Sequence, residues 1–266
     1  SPTPTGDSRV SANKASLKSV LTVALGLCIV CSVIVSSAAV VLKPQQEANK
    51  ARDLKRNILM AGGLYDPELT VEEQFESIEA RLVDLDSGRF VEGDVDAFDQ
   101  RKASKDPSQS RALTGDEDPA KILRREDRAV VYLVNSEAGD LNRIILPVRG
   151  YGLWSTLYGF VALEADANTI VGLGFYEHGE TPGLGGEVDN PSWKQKWSGK
   201  LAYRDGEVAI EVLKGAVNPA SSDAAWQVDG LSGATLTTNG VENLVQYWLG
   251  NDGFAPLLDN IRGGRA

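Results

Sequence analysis

The 266-residue sequence is poor in the side chains that most often carry chemistry, with one histidine, two cysteines and one methionine. The lone His178 has neither a second metal ligand nor a triad partner near it in sequence, so we expect a surface histidine rather than a catalytic one. A Walker A motif and a G-x-G-x-x-G motif before a helix are also missing from the sequence. These absences argue against hydrolases and ATPases, and we predict no catalytic residue and no metal ligand.

The two cysteines, Cys28 and Cys31, both lie inside the longest apolar run of the chain. Their C-x-x-C spacing could indicate a redox pair or half of a metal site, but a complete cysteine site needs four ligands and no other Cys or His lies nearby. We therefore expect small buried residues of a membrane helix. A ligand shared with another protein of a complex stays open.

That apolar run extends from residue 20 to residue 42 without a charge and is bounded by Lys18 and Lys43. As a helix with a rise of 1.5 Å per residue it would be about 34 Å long, enough for a hydrocarbon core of about 30 Å. A cleaved signal peptide is the alternative, because the small residues at 36–39 resemble a cleavage site. The run is longer than the apolar part of a usual signal peptide, so we predict a single transmembrane anchor.

Acidic residues outnumber basic ones by 37 to 27, and the excess lies after the apolar run. The net charge of −10 makes nucleic acid and anionic membrane surfaces poor partners, although acidity can also serve solubility alone. Basic residues are more numerous just after the run than before it, which by the positive-inside rule places the large domain in the cytoplasm. The rule is weak for a long domain, so the charges leave the topology open.

A charged, helix-favouring segment, residues 45–60, follows the apolar run and ends at two glycines, residues 62–63. This pattern predicts a stalk that continues the membrane helix, with Pro44 as a kink. We expect the stalk to serve packing rather than chemistry.

A second helix is predicted after the stalk. Residues 70–73 have the form of a capping box, and Phe75, Ile78 and Leu82 form an apolar stripe at helical spacing. Residues 92–128 are polar and almost without aromatics, so we expect surface loop and short helix there, wrapped around a core.

Five segments rich in β-branched and aromatic residues predict strands: 129–134, 143–148, 160–165, 169–176 and 208–213. Short turns join the first four, as in consecutive hairpins. With helices before and after, the predicted fold is α+β: a single N-terminal transmembrane helix, then a domain with a largely antiparallel twisted β-sheet flanked by helices.

A Gly/Ser/Thr-rich stretch, residues 229–240, precedes a strongly predicted helix. After Gly240, apolar residues recur at i, i+3, i+4 and i+7, and Gly250 supplies a stop; the apolar residues are Val241, Leu244, Val245 and Trp248. Asn239 with Glu242 resembles a capping pair, which predicts a helix start between Thr237 and Asn239. A helix start beside hydroxyls suits a phosphate, but an ordinary turn and N-cap explain the same residues.

Two glycine-rich loops are predicted between strands, at residues 147–155 and 177–186. Glycines at this density let the backbone approach a ligand closely or adopt positive φ. Together with Lys214 and the hydroxyls at 232–237, these loops suit a flat polar ring with a phosphate tail. Tight turns without a ligand remain the alternative.

Three motifs in this order carry a family resemblance. Residues 229–235, DGLSGAT, resemble the flavinylation motif of bacterial FMN-binding domains. With ETPGLG at 180–185 and GLWS at 152–155, essentially the whole chain is similar to the C subunits of Na+-translocating NADH:quinone reductases. The resemblance implies the following division: an N-terminal tail at 1–19, a transmembrane helix at 20–42, a stalk with a helical and loop region packing on the core at 43–128, and an FMN-binding domain at 129–266.

The resemblance implies covalent FMN, bound through a phosphoester to Thr235 and donated from FAD by a separate flavin transferase that reads a segment including Asp229. Gly233 and Ala234 would leave the transferase room, and the nearby helix start would favour the attached phosphate. Further flavin contacts are implied for Trp154, Ser155, Glu180, Thr181, Gly183, Leu184 and Lys214.

The implied function is electron relay between other membrane subunits of a sodium-pumping NADH:ubiquinone oxidoreductase, with the domain on the periplasmic side of the bacterial inner membrane. This topology opposes the charge count, and we follow the resemblance. Two alternatives remain: the G subunit of the related ferredoxin:NAD+ reductase complex, and a membrane-anchored binding or assembly module without a redox cofactor.

Overall fold

The structure is a computed structural model that describes residues 17–136 and 138–265. The described part of the chain divides into two compact units, with the boundary between Lys50 and Ala51. The helices are α1 (Leu17–Ala61), α2 (Val71–Phe75), α3 (Gln100–Ala103), α4 (Pro191–Lys194), α5 (Thr235–Leu249) and α6 (Ala255–Arg262). The strands are β1 (Ile78–Asp84), β2 (Arg89–Val91), β3 (Ser110–Ala112), β4 (Arg124–Glu126), β5 (Arg128–Asn135), β6 (Leu141–Tyr151), β7 (Thr156–Glu164), β8 (Ile170–Glu177), β9 (Tyr203–Arg204), β10 (Glu207–Val208), β11 (Glu211–Val212) and β12 (Gln227–Val228).

The first helix, α1, includes the whole predicted anchor and the predicted stalk, and Pro44 lies inside it. Helix α1 is long and apolar enough to cross a membrane, and none of its most apolar 18-residue stretch is buried. Cys28 and Cys31 lie within the helix and are exposed and unbridged. Gly62 and Gly63 follow the last helical residue, as predicted, and Gly63 has a φ of +62°, which suits a residue just after a helix end.

A six-stranded antiparallel sheet, in the order β2-β1-β5-β6-β7-β8, forms the centre of the second unit. Successive side chains of a strand point to opposite faces, and both faces of this sheet are covered. Ile144, Leu146 and Val148 of β6 pack into the core formed with α5 and α6. Ile145 packs into a second core with Ile58 of α1. This double coverage explains why β6 reads as an almost continuous apolar run rather than an alternating one.

The predicted α+β fold and the hairpins joining β5 to β8 are confirmed. The capping box is also present, since Thr70 Oγ1 accepts from the Glu73 amide and the Glu73 side chain accepts from the Thr70 amide. The second helix, however, ends at Phe75, and the prediction that Ile78 and Leu82 extend it is wrong. Residues four apart share a face in a strand as well as in a helix, and here pairing with β5 determines the outcome.

Two other predicted elements differ from the structure. The expected strand at 208–213 is split into β10, which pairs with β9, and β11, which pairs in parallel with β12. The expected loop at 147–155 is mostly strand, because β6 continues to Tyr151 and only residues 152–155 turn. In addition, the region 43–128 contributes β1 and β2 to the central sheet, as well as the helix and loop expected of it.

Candidate functional site

Three segments meet at one end of the sheet: the β6–β7 turn at residues 152–155, the loop after β8 at residues 178–186, and the start of α5. The turn and the loop emerge together because β7 and β8 pair as far as Tyr158 and Glu177. Helix α5 is fixed against β6 by a hydrogen bond of 2.7 Å from Trp248 Nε1 to the carbonyl oxygen of Arg149. The sequence motifs at 152–155, 180–185 and 229–235 are therefore neighbours in space.

Glycines allow this close approach. A Cβ on Gly240 of α5 would lie 2.5 Å from the carbonyl oxygen of Tyr151, and one on Gly152 would lie 2.6 Å from Glu180 Oε1. A Cβ on Gly185 would meet Glu180 Oε2 at 2.8 Å and would also collide with Thr237 Oγ1. Backbone thus packs directly against backbone and against one carboxylate where the three segments join.

That carboxylate belongs to Glu180, whose side chain is only 5 % exposed. Oε1 accepts from the amides of Leu153, Trp154 and Ser155 at 3.1, 3.0 and 3.3 Å. Oε2 accepts from the hydroxyl of Thr237 at 2.6 Å. Burial alone raises the pKa of Glu180, but the hydrogen bonds from Thr237 and the three amides outweigh burial and hold this pKa below its usual range.

The threonines at the start of α5 differ sharply in accessibility. Thr237 and Thr238 are 0 % and 1 % exposed, and both hydroxyl oxygens are engaged: Thr237 donates to Glu180, and Thr238 accepts from the Leu231 amide at 3.0 Å. Thr235, the first residue of α5, is exposed. Among these three threonines, only Thr235 presents a hydroxyl at the surface.

The prediction that this helix begins between Thr237 and Asn239 is wrong. Helix α5 begins at Thr235, and the Thr238 amide already bonds to the carbonyl oxygen of Ala234 at 2.9 Å. Glu242 does not cap Asn239, because its carboxylate accepts instead from the amide of Val212 at 3.2 Å. Ala234 at the N-cap offers no side-chain oxygen, so it caps none of the first-turn N–H groups and leaves this end suited to an anion.

The three segments that meet here carry exposed apolar side chains. Trp154 is 65 % exposed, and Leu184 lies against Gly233, with its Cδ2 3.3 Å from where a Cβ on that glycine would be. Gly233 and Gly183 both have positive φ, +71° and +76°, a backbone conformation that glycine adopts without strain. Sequence reasoning missed three more exposed apolar residues of these segments, Tyr151, Leu153 and Leu236. Leu236 could have been identified from the sequence, since this residue lies outside the buried apolar stripe of α5.

The remaining predicted contacts have different positions. Thr181 is exposed beside Leu184, whose amide bonds to the Thr181 carbonyl oxygen at 3.1 Å. Ser155 is half-buried, and its Oγ accepts from the Gly179 amide at 2.6 Å. Lys214 is exposed at the far end of the motif, next to Gly230 rather than Thr235. Its side chain makes no hydrogen bond or ion pair within residues 17–136 and 138–265.

His178 and Asp229 both contact oppositely charged or polar groups of the protein. The histidine expected on the surface is in fact mostly buried, with a side chain 13 % exposed, and its Nε2 lies 2.7 Å from Asp189 Oδ2. Asp229 Oδ1 accepts from the Val217 amide at 2.8 Å, and its Oδ2 lies 2.5 Å from Lys196 Nζ. Within the described part of the chain, no three His, Cys, Asp or Glu side chains are grouped to hold a metal ion.

The residues present fit an FMN group. The open Thr235 hydroxyl and the uncapped end of α5 suit a phosphate, while Trp154, Leu184 and Leu236 offer an apolar surface for a flat ring. A separate cavity of about 520 Å³ lies on the α1 face of the sheet, between Ile58, Tyr132 and Arg101, and includes none of the predicted flavin contacts.

Comparison with known proteins identifies the family. The chain is 53 % identical over 261 residues to the C subunit of the Na(+)-translocating NADH-quinone reductase of Pseudomonas aeruginosa, covering 96 % of this chain and 100 % of that protein. It is 48 % identical over 256 residues to the corresponding protein of Vibrio anguillarum, covering 96 % and 99 %. The chain belongs to the family of these C subunits. The resemblance inferred from the three motifs is therefore confirmed.

Two further comparisons agree with membership of this family. The FMN-binding domain family matches residues 152–250, from the β6–β7 turn to the end of α5. The structure of NqrC from Shewanella oneidensis superposes with a TM-score of 0.74 at 36 % identity, covering 81 % of this chain and 99 % of that one. The C subunit of the Na(+)-translocating NADH-quinone reductase from Parabacteroides distasonis gives a TM-score of 0.63 at 30 % identity, covering 82 % and 96 %.

Proposed function

We propose that this chain is a membrane-anchored electron-relay subunit of a sodium-pumping NADH:ubiquinone oxidoreductase and that it carries FMN covalently on Thr235. The near-full-length similarity to C subunits supports membership of the sodium-pumping complex. It favours a C subunit over the G subunit of the ferredoxin:NAD+ reductase complex. The match to FMN-binding domains favours a redox role over a binding or assembly module without a cofactor. The bound FMN would supply the redox chemistry, taking up electrons from one protein of the complex and passing them to the next.

The observation that carries the choice of residue is the exposure of Thr235 beside two sealed threonines. A flavin transferase must bring FAD to a hydroxyl that it can reach. In this step Thr235 Oγ attacks the phosphorus of the FMN half of FAD, the P–O bond to AMP breaks, AMP leaves, and the hydroxyl proton passes to solvent or to a base of the transferase. The product is a phosphodiester, whose negative charge would lie at the uncapped start of α5.

The chain's own residues would hold the flavin rather than react with it. Trp154 and Leu184 offer apolar surface for the ring, and the exposed backbone at Thr181 and Gly183 lies in the same loop. Gly233 and Ala234 leave space beside the ester, since neither carries a bulky side chain. Asp229, through Lys196 and the Val217 amide, shapes the segment that the transferase would read. Lys214 flanks that segment at Gly230.

We also propose that α1 crosses the bacterial inner membrane once and that the large domain lies on the periplasmic side, next to the other membrane subunits of the complex. The apolar stretch of α1, of which no part is buried, supports the crossing. A protease added to intact spheroplasts should then cleave the domain. Complete protection of the domain would contradict this topology.

Intact-mass measurement tests the covalent link. The full chain, produced together with a bacterial flavin transferase, should gain the mass of one FMN less one water and become yellow. Thr235→Ala should lose both the added mass and the colour, because no other threonine hydroxyl of the α5 start is open. Thr238→Val, which removes a buried hydroxyl at similar volume, is the matched control and should keep both. A colourless, unmodified wild-type chain, or a modified Thr235→Ala chain, would refute the proposal.

A further inference from the structure

The buried carboxylate of Glu180 is placed where a flavin contact was expected, but its oxygens are occupied within the protein. Oε1 and Oε2 together accept hydrogen bonds from three amides and one hydroxyl. Glycines at 152 and 185 enclose the carboxylate, since a Cβ on either would lie within 2.8 Å of one of its oxygens. The carboxylate is therefore buried, and both of its oxygens are engaged within the protein.

We infer that Glu180 is a positioning residue: it joins the turn that carries Trp154 to the first turn of α5, so that a ring tethered at Thr235 meets a preformed surface. This inference rests on the proposed function. It assigns Glu180 a role behind the site and not against the flavin ring. Thr237 is the other member of this connection, which we call the Glu180–Thr237 joint. Within the described residues, its hydroxyl is the only group of α5 that donates to the carboxylate.

The geometry requires an acceptor at this point. Amides of three consecutive residues, 153 to 155, converge on one oxygen, which is an arrangement that selects an anion. The Thr237 hydroxyl also donates, so four donors face this one side chain. Hydrogen bonds to an ionised group are shorter and stronger than neutral ones, as the 2.6 Å contact with Thr237 illustrates.

A covalent tether makes the role of Glu180 separable from FMN loading. If the joint is broken, the ester at Thr235 still retains FMN, while the ring loses its fixed neighbour Trp154. The intact mass then reports loading, and the flavin fluorescence and visible circular dichroism report the ring environment. A residue that only stabilised the fold would change neither optical signal in chains that remain folded.

The experiment compares FMN-loaded full-length variants in detergent. Glu180→Ala and Thr237→Val should keep the FMN mass, lose the visible circular dichroism band and raise flavin fluorescence toward that of free FMN. Thr237→Ser retains the donor and should behave as wild type, while Trp154→Ala provides the reference for a ring without its neighbour. The Thr237 pair keeps the test decisive if Glu180→Ala fails to fold.

Two results would overturn the inference. Loaded Thr237→Val with wild-type optical signals would show that the joint does not position the ring. Altered signals in Glu180→Ala with unchanged signals in Thr237→Val would place Glu180 against the ring itself. A wild-type chain without FMN mass would instead refute the proposed function, so the two failures are distinguishable.

Discussion

Substituting alanine for Gly240 should destabilise the domain, although alanine is the better helix former. Gly240 lies in the interior of α5 and is buried. The added Cβ would lie 2.5 Å from the carbonyl oxygen of Tyr151 and 2.9 Å from the Cα of Gly152. Both are backbone atoms, which cannot move aside as a flexible side chain would. The helix must therefore shift away from the β6–β7 turn, and the start of α5 with Thr235 moves with it.

Two opposing effects set the size of this change. Replacing glycine by alanine inside a helix contributes about 1 kcal/mol of stability. Forcing an extra methyl group into a packed interior costs about 1–3 kcal/mol, and a clash with backbone lies toward the upper end of that range. We expect a net loss of about 1–2 kcal/mol in the free energy of unfolding. For a domain of this size that corresponds to a fall in Tm of roughly 2–8 °C.

Thermal unfolding of the full chain in detergent, followed by far-ultraviolet circular dichroism, measures this effect. Gly174→Ala in β8 is the matched control, because a Cβ there meets nothing within 4 Å and the residue does not have positive φ. Its Tm should be unchanged or slightly higher. A Tm for Gly240→Ala equal to or above that of wild type would refute the argument that α5 packs backbone against backbone on the site turn.

Two other perturbations follow from buried charge. Glu126 is fully buried, and its Oε2 lies 2.6 Å from Arg149 Nη2. Glu126→Leu should lower the free energy of unfolding by about 3–5 kcal/mol, because it leaves a buried guanidinium without its carboxylate partner. In urea titrations, the double variant Glu126→Leu/Arg149→Leu should recover part of this loss. Burial raises the pKa of Glu180 and of Asp229, but hydrogen bonds, from Thr237 and Lys196 respectively, outweigh burial and lower both pKa values in the folded chain. The contribution of these carboxylates to the free energy of unfolding is therefore complete above the unfolded pKa of about 4. It is lost as the pH falls through the folded pKa. Tm should accordingly fall as the pH is lowered below about 4, less steeply in Glu180→Gln, and equal slopes would contradict the role of this carboxylate.

Local patterns in the sequence predicted much of the fold. The buried face of α5 follows from the spacing of Val241, Leu244 and Val245, all of which are buried in the structure. The hairpins from β5 to β8 follow from segments rich in β-branched and aromatic residues that are separated by short turns. The capping box follows from the spacing of Thr70 and Glu73. In each case the residues that decide the structure are neighbours in sequence, which is where such patterns are informative.

Other features depend on partners that are distant in sequence. Ile78 fits a helix or a strand equally well, and pairing with Val134 of β5 selects the strand. No local pattern distinguishes the threonines at 235, 237 and 238. Thr237 is buried and donates its hydroxyl to Glu180, which is 57 residues away in the sequence. Thr235 was selected by family resemblance, and its exposure now supports that choice on physical grounds.

The exposure of Thr235 also has a consequence for the order of events in the cell. Thr235 lies on the surface of the completed fold, and the threonines that follow it in α5 are buried by the protein's own residues. Under the proposed function, the scaffold can be synthesised, exported and folded first, and the cofactor can be added later to a finished protein. Loading is then a maturation step, limited by where the transferase and FAD are found rather than by the folding of the chain.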